Sequence, residues 1–294
     1  MNIPKSLKRF DKVGLIAPSG PLPENTAKLG IDAIKKLGFI PVVGKYACEN
    51  NGYLAGKDEQ RAEDFNAMFA DKSIKGIICL RGGYGAIRIL DKINWDIVKQ
   101  NPKVFVGYSD ITALHIAINQ KTSLITYHGP MPTTELIHKK LDKLTFASLK
   151  QNIYGKTPKE LDLNRYTIKT LIRGSFSGKL VGGNLTTIVS TLGSEYEINT
   201  ENCILFLEDI SEPLYKVDRM LIQLKICGKL KNVSAVILGD FIDENGEKMK
   251  EVNEVFKDIL QPLGIPCLYN LPCGHSFPTI TLPLGTNLTY KENI

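Results

Sequence analysis

A chain of 294 residues has room for two domains of ordinary size, and 43% hydrophobic with 23% charged residues supports a substantial core and excludes global disorder. The formal net charge of +6 is spread along the chain without a run of like charges, so no nucleic-acid arm is indicated, while a mild positive excess suits an acidic small substrate. Nothing approaches the roughly 18 apolar residues of a membrane span. The apolar part of the basic N-terminus is about five residues, too short for a secretory leader, so a cytoplasmic protein without membrane contact is expected.

In chain order, "KVGLIAP" (12–18) reads as a buried strand and is followed by a Ser-Gly-Pro turn and a helix near Asn25–Leu37. A second strand, "FIPVVG" (39–44), precedes "DEQRAEDFNAMFAD" (58–71), an amphipathic helix with Ala62, Phe65, Met68 and Phe69 on one face. The strand "KGIICLRGG" (75–83) runs into a glycine-rich turn, with helix again from Ala86. "KVFVGYS" and "SLITYHG" (123–129) are strands flanking a helix at Asp110–Gln120, and another helix is expected near Glu135–Gln151. Apolar strands alternating with helices define an α/β unit with a parallel sheet covered on both faces.

The polar, turn-rich "NIYGKTPKELDLNRY" marks a boundary. The expected division is 1–152 for a first domain, 153–168 for a linker and 169–294 for a second domain. That second half contains "IKTLIRGSFSGKLVGGN", a helix at Leu185–Leu192, the strand "CILFLED" (203–209) and a helix at Lys216–Cys227. "VSAVILGDF" (233–241), a helix at Lys248–Leu260 and a strand pair from "IPCLYNLPCGHS" and "TITLPLG" complete a mixed α+β fold.

The six cysteines show neither CxxC nor a zinc-type Cys/His spacing, so no metal or other cofactor is expected. Cys79, Cys203 and Cys267 stand within apolar runs as reduced, buried residues.

Ligands of open α/β sheets bind beyond the carboxyl ends of the strands. Four such ends carry polar or glycine-rich groups: Pro18–Gly20, Arg81–Gly85, Gly107–Asp110 and His128–Pro130. Ser109 follows a strand and precedes a helix, as in a nucleophile elbow, although Ile111 replaces the last glycine of G-x-S-x-G. The same placement suits a helix N-cap. As a nucleophile, Ser109 would have the Asp110 backbone N–H as an oxyanion donor, with a second from Gly83 in "RGGYG". That glycine turn lacks the Lys-Ser/Thr of a P-loop and the GxGxxG spacing, so nucleotide binding is not favoured. Of four histidines, His115 lies about 240° around its helix from the entrance, and His138 sits on a solvated helical face, within the helix expected near Glu135–Gln151. His128 and His275, both in Gly/Pro-flanked loops, remain as alternative bases, with Glu208 or Asp209 to orient one of them.

The blocks "LIAPSG", "CLRGGYGAIRILDKINWD", "FVGYSDITALH", "HGPM", "GGNLTTIVSTLG", "FLEDISEPLYKVDRMLIQL" and "GHSFPTITLPLG", in this order, resemble the LD-carboxypeptidase family of serine peptidases (S66), which includes the microcin C7 self-immunity hydrolases. The resemblance runs from about residue 12 to 286. It implies a flavodoxin-like (amidotransferase-like) N-terminal domain with Ser109 as nucleophile, and a C-terminal domain contributing Glu208 and His275 across an interdomain cleft. It also implies backbone oxyanion donors at Gly83 and Asp110, a homodimer, and removal of the terminal D-alanine from murein tetrapeptides in cell-wall recycling. The alternative within the family is another amide, such as a microcin-type peptidyl-nucleotide. The immunity branch carries an extra aromatic loop, whereas Gly183–Glu208 is compact here and the single tryptophan, Trp95, stands in the first half. A non-catalytic protein that holds an anionic ligand is the reading from a different class. For the substrate's carboxylates, Arg81 is the best-placed cation by sequence, with Ser19, Asn184 and Tyr215 as further lining candidates.

Overall fold

The computed structural model describes residues 1–138, 142–156 and 162–292. Two compact units emerge, Met1–Thr157 with Ile280–Pro283, and Pro158–Thr279 with Leu284–Ile294. Residues 157–161 of the expected linker and 139–141 of the expected helix near Glu135–Gln151 lie outside the described residues.

The first unit alternates β1 (Lys12–Ile16), α1 (Thr26–Lys36), β2 (Ile40–Val43), α2 (Asp58–Ala70), β3 (Ile74–Cys79), α3 (Trp95–Gln100), β4 (Val104–Gly107), α4 (Thr112–Thr122), β5 (Thr126–His128) and α5 (Lys143–Tyr154). The second unit holds β6 (Lys169–Ile172), β7 (Phe176–Asn184), α6 (Leu185–Ser190), β8 (Cys203–Ile210), α7 (Leu214–Ile226), β9 (Ala235–Ile242), α8 (Val252–Leu260) and β10 (Cys267–Tyr269), followed in the chain by β11 (Leu282–Leu284) and β12 (Asn287–Tyr290).

The first sheet has the order β2-β1-β3-β4-β5-β11, and the pairings from β2 to β5 are all parallel. Five strands in this order make the flavodoxin-like arrangement, whose direction of winding reverses between β1 and β3. β4 shows why the sequence chooses this fold: all four residues of Val-Phe-Val-Gly are buried, as a strand covered on both faces requires. The apolar face of α2 packs on β1 and β3, placing Phe65 and Phe69 beside Phe105 and His115 in one aromatic cluster.

The second sheet, β12-β7-β8-β9-β10-β6, is parallel in its centre and antiparallel at both edges. Leu205, Phe206 and Leu207 of β8 are fully buried at its middle. The mixed character expected of this half is therefore a parallel core with two reversed edges.

Three local expectations need correction. The segment after the glycine turn is a 3-10 helix, Ala86–Lys92, and the α-helix α3 begins only where Asn94 Oδ1 accepts the Ile97 N–H at 3.1 Å. The helix expected from Asp110 starts at Thr112, because a 3-10 turn at Ser109–Ile111 intervenes. The two C-terminal apolar runs are not partners: β10 pairs with β9 and β6, whereas β11 joins the first sheet. An apolar pattern specifies which face is buried, not which open edge receives the strand. β12, which the sequence reading did not anticipate, closes the other edge against β7. Cys79, Cys203 and Cys267 are buried free thiols, as expected, and so is Cys273. Among the described residues no helix is long and apolar enough to cross a membrane.

Phe105 is fully buried and touches three aromatic partners, so Phe105→Ala leaves a cavity that neighbouring rings cannot fill. The expected loss is about 3–5 kcal/mol of unfolding free energy, to be measured by denaturant titration.

Candidate active site

Ser109 is one of four non-glycine residues of the first unit with a left-handed backbone, beside Phe10, Asn25 and Ser123 among the described residues. Its φ is 65°, in the left-handed region that side chains other than those of Gly, Asn and Asp avoid. An N-cap residue has extended backbone, and α4 starts three residues later behind Ile111, so Ser109 does not cap that helix. The turn instead projects a partly exposed serine from the carboxyl end of a fully buried strand.

The neighbouring strand ends close around it. A Cβ on Gly82 would lie 2.9 Å from Ser109 Cβ, so only glycine lets this turn lie against the serine. The Gly20 N–H donates to Gly82 O at 3.1 Å, joining the β1 and β3 loops. The Gly129 N–H reaches Gly107 O at 3.1 Å, and the Thr133 N–H reaches Leu80 O at 3.1 Å. The four polar strand ends singled out by sequence thus converge.

Asp110 points inward. Its Oδ2 accepts from Ser19 Oγ at 2.5 Å and from the Ala86 N–H at 2.8 Å, and burial pushes its carboxyl above the usual range. Ser19, offered above as a substrate contact, is completely buried with its hydroxyl engaged in this bond. Arg81 donates from Nη1 to Pro21 O at 2.6 Å, so one guanidinium nitrogen braces the β1 loop.

His115 shows where helical geometry misleads. It does lie away from the helix entrance, but Nε2 sits 2.8 Å from Gly107 O, directly beneath the serine turn. A carbonyl accepts, so Nε2 carries the proton, and burial pushes its pKa down to about 4. His115 is a neutral backbone support. His128 is also buried, at the end of β5, with Tyr108 and His115 beside its ring. His138 is exposed and lies outside any helix.

The second unit brings Glu208 and His275 together, with Nδ1 2.7 Å from Oε2. Glu208 is 0% exposed and the His275 side chain 12%, so the carboxylate is interior and the imidazole reaches the surface. Glu208 stands near the end of β8 in register with Asn184 of β7. Gly274 has φ 132°, and a Cβ there would come 2.8 Å from Glu208 Oε2, so the glycine permits the histidine loop to descend onto the carboxylate. The loop is fixed to β9 by the Asp240 N–H to Cys273 O bond of 2.9 Å and by Ser276 Oγ donating to Asp240. Asp240 also meets Lys248 at 2.5 Å. Sequence reasoning missed this aspartate, and "LGDF" at the end of a buried strand was its only signal.

Asp209, one residue on, has a different task. It accepts from Asn184 Nδ2 at 2.8 Å and from the Thr186 N–H at 2.9 Å, securing the first turn of α6. Asn184 caps that helix, its Oδ1 accepting the Thr187 N–H at 3.0 Å, so it too serves the fold internally. Tyr215 is 61% exposed on α7 with Arg219 over its ring. Among the described residues no group of three or more His, Cys, Asp or Glu is placed to hold a metal ion.

Residues 13–129 match the LD-carboxypeptidase N-terminal domain and residues 177–289 the LD-carboxypeptidase C-terminal domain. A probable murein peptide carboxypeptidase of Bacillus subtilis is 39% identical over 96% of this chain and 89% of its own length. The microcin C7 self-immunity protein of Escherichia coli is 31% identical over 95% and 90% respectively. The crystal structure of a muramoyltetrapeptide carboxypeptidase from Oxalobacter formigenes superposes with a TM-score of 0.78 at 28% identity, covering 94% of this chain and 93% of that one. The chain belongs to the LD-carboxypeptidase family, peptidase family S66, and is an enzyme of the carboxypeptidase class.

Two measurements probe the site's physics. Ser109→Gly is expected to be more stable than Ser109→Ala by roughly 1 kcal/mol, because alanine keeps the left-handed penalty that glycine escapes; thermal unfolding of both variants reads the difference. Burial, reinforced by the charge of Glu208, raises the Asp209 pKa to about 6. The folded state therefore binds that proton more readily than the unfolded one. Asp209 contributes stability that is full below about pH 4 and lost as pH rises through about 6. The unfolding free energy of the wild type relative to Asp209→Asn is expected to increase, by up to about 3 kcal/mol, between pH 7 and 4.

Proposed function

We propose that Ser109, His275 and Glu208 form a nucleophile–base–acid triad that removes the terminal D-alanine from murein tetrapeptides through an acyl-enzyme. The observation that carries this reading is the 2.7 Å contact between His275 Nδ1 and a fully buried Glu208. A carboxylate accepts, so Nδ1 holds the proton and Nε2 is the basic nitrogen. His275 Nε2 takes the proton of Ser109 as its oxygen attacks the carbonyl of the L,D-peptide bond. Backbone N–H groups of Gly83 and Asp110 hold the developing oxyanion. The same imidazole then protonates the departing D-alanine amine, and water, activated in turn by His275, releases the tripeptide. Arg81 and Tyr215 are the substrate-contact candidates of this reading, Arg81 for a carboxylate, whereas Ser19 and Asn184 act through the loops they hold. The enzyme works as a cytoplasmic homodimer in cell-wall recycling.

The name of the Bacillus relative supports a murein peptide, and the microcin C7 relative keeps a peptidyl-nucleotide as the second reading. Mass spectrometry of L-Ala-γ-D-Glu-meso-diaminopimelate-D-Ala incubated with wild type and with Ser109→Ala tests the proposal. Loss of one alanine by the wild type, slowed by at least about 10³-fold in the variant, is expected. Intact tetrapeptide beside a cleaved aminoacyl-sulfamoyl adenylate would move the substrate to the second reading.

A further inference from the structure

Arg61 is the largest fully buried side chain of the described residues, 2% exposed, and the mechanism above makes no use of it. It stands on α2 among Ala62, Phe65 and Met68, where the helical face calls for an apolar residue. Its Nη1 donates to two backbone carbonyls, Pro18 O and Gly85 O, the latter at 2.8 Å. Nη2 pairs with Asp58, whose carboxylate also receives Arg88 Nε at 2.9 Å and Nη2 at 2.8 Å.

Asp110 completes the pattern from the other side. The peptide between Gly85 and Ala86 has its carbonyl held by Arg61 and its N–H held by Asp110 Oδ2 at 2.8 Å. The β1 loop is gripped in the same way, with Pro18 O on Arg61 and Ser19 Oγ on Asp110 at 2.5 Å. One buried cation and one buried carboxylate thus clamp both loops, and Gly83 lies against the β1 loop they hold: a Cβ on it would come 3.0 Å from Gly20 Cα and 3.1 Å from Gly20 N. Burying an arginine is costly, and here Nη1 and Nη2 are engaged while the buried Nε has no hydrogen-bond partner among the described residues. A packed leucine would serve the core better, so this charge is placed for what it holds.

We propose that Arg61 is a positioning residue: with Asp110 as its counterpart, it sets the glycine turn so that the Gly83 N–H, like the Asp110 N–H, faces the carbonyl oxygen attacked by Ser109. This rests on Ser109 being the nucleophile. Arg61 touches no substrate, so its loss lowers the rate at which a tetrahedral centre forms and leaves substrate affinity in place.

The test compares wild type, Arg61→Met and Arg61→Lys in the full chain, reading the rate of Ser109 labelling by an alkyl fluorophosphonate together with kcat and KM for the tetrapeptide. Arg61→Met is expected to lower both the labelling rate and kcat by about 10- to 100-fold, less than outright removal of an oxyanion donor, with KM within about threefold. Arg61→Lys, able to hold one carbonyl but not both, recovers part of the loss. Should the methionine variant fail to fold, Ser19→Ala cuts the Asp110 side of the clamp and carries the same prediction. Labelling within twofold of wild type in the folded variant, or a loss confined to KM, would overturn the role of Arg61. No labelling of the wild type would overturn the nucleophile itself, and this proposal with it. Because the reagent is not a peptide, an error in the assigned substrate leaves the labelling arm intact.

Discussion

Everything in the first unit's site depends on holding one serine in a backbone conformation it does not favour. A left-handed non-glycine residue costs on the order of 1–2 kcal/mol and persists only where its surroundings over-determine it. Here they do. The preceding strand is buried along its whole length. Its last carbonyl, Gly107 O, receives both His115 Nε2 and the Gly129 N–H. The residue after the serine is anchored through its side chain to two loops. With the backbone fixed on both sides, the serine turn can only project outward, and the parallel sheet delivers the neighbouring loops to the same rim.

The second unit solves a different problem with the same economy of means. An imidazole is oriented by a carboxylate only if the carboxylate is itself immobile and dry, and β8 supplies this by carrying Glu208 into a fully buried position. Adjacent Asp209, where the pairing of β8 with β9 shifts register, is spent on α6. Two carboxylates in sequence therefore never compete for one histidine. Their proximity remains visible electrostatically, since Glu208 helps to raise the Asp209 pKa.

The alternation of strands and helices was legible in the residues alone because buried parallel strands are continuous apolar runs, as in "VFVG" and "CILFL". Partner choice was not legible, and β11 shows why: its pattern is the same whichever sheet receives it. The convergence of loops around Ser109 could be read from their shared position at strand ends. Choosing between His128 and His275, or Glu208 and Asp209, could not be done from spacing, since each pair occupies equivalent local contexts. Ser19 and Asn184 looked like surface contacts because small polar residues beside turns usually are. Both were turned inward by carboxylates distant in sequence, Asp110 and Asp209. Arg61 left a fainter signal, a charge standing in the apolar register of an amphipathic helix.

The four histidines show how far environment, more than residue type, decides chemistry. His115 is sealed beneath the serine turn, where burial drives its pKa to about 4 and a carbonyl accepts its Nε2–H, so it is a fixed donor at any physiological pH. His128 lies inside the same unit, 1% exposed, with rings on either side. His138 is exposed without a regular element to orient it. A general base needs two conditions that oppose each other: a buried anion to fix its tautomer, and enough exposure to meet a substrate. A histidine deep in the core fails the second whatever fixes its tautomer, and one on an open surface lacks the first. His275 has both features, as its role in the proposed triad would require: Gly274 lets its loop come down onto an interior carboxylate while the ring itself stays at the boundary with solvent.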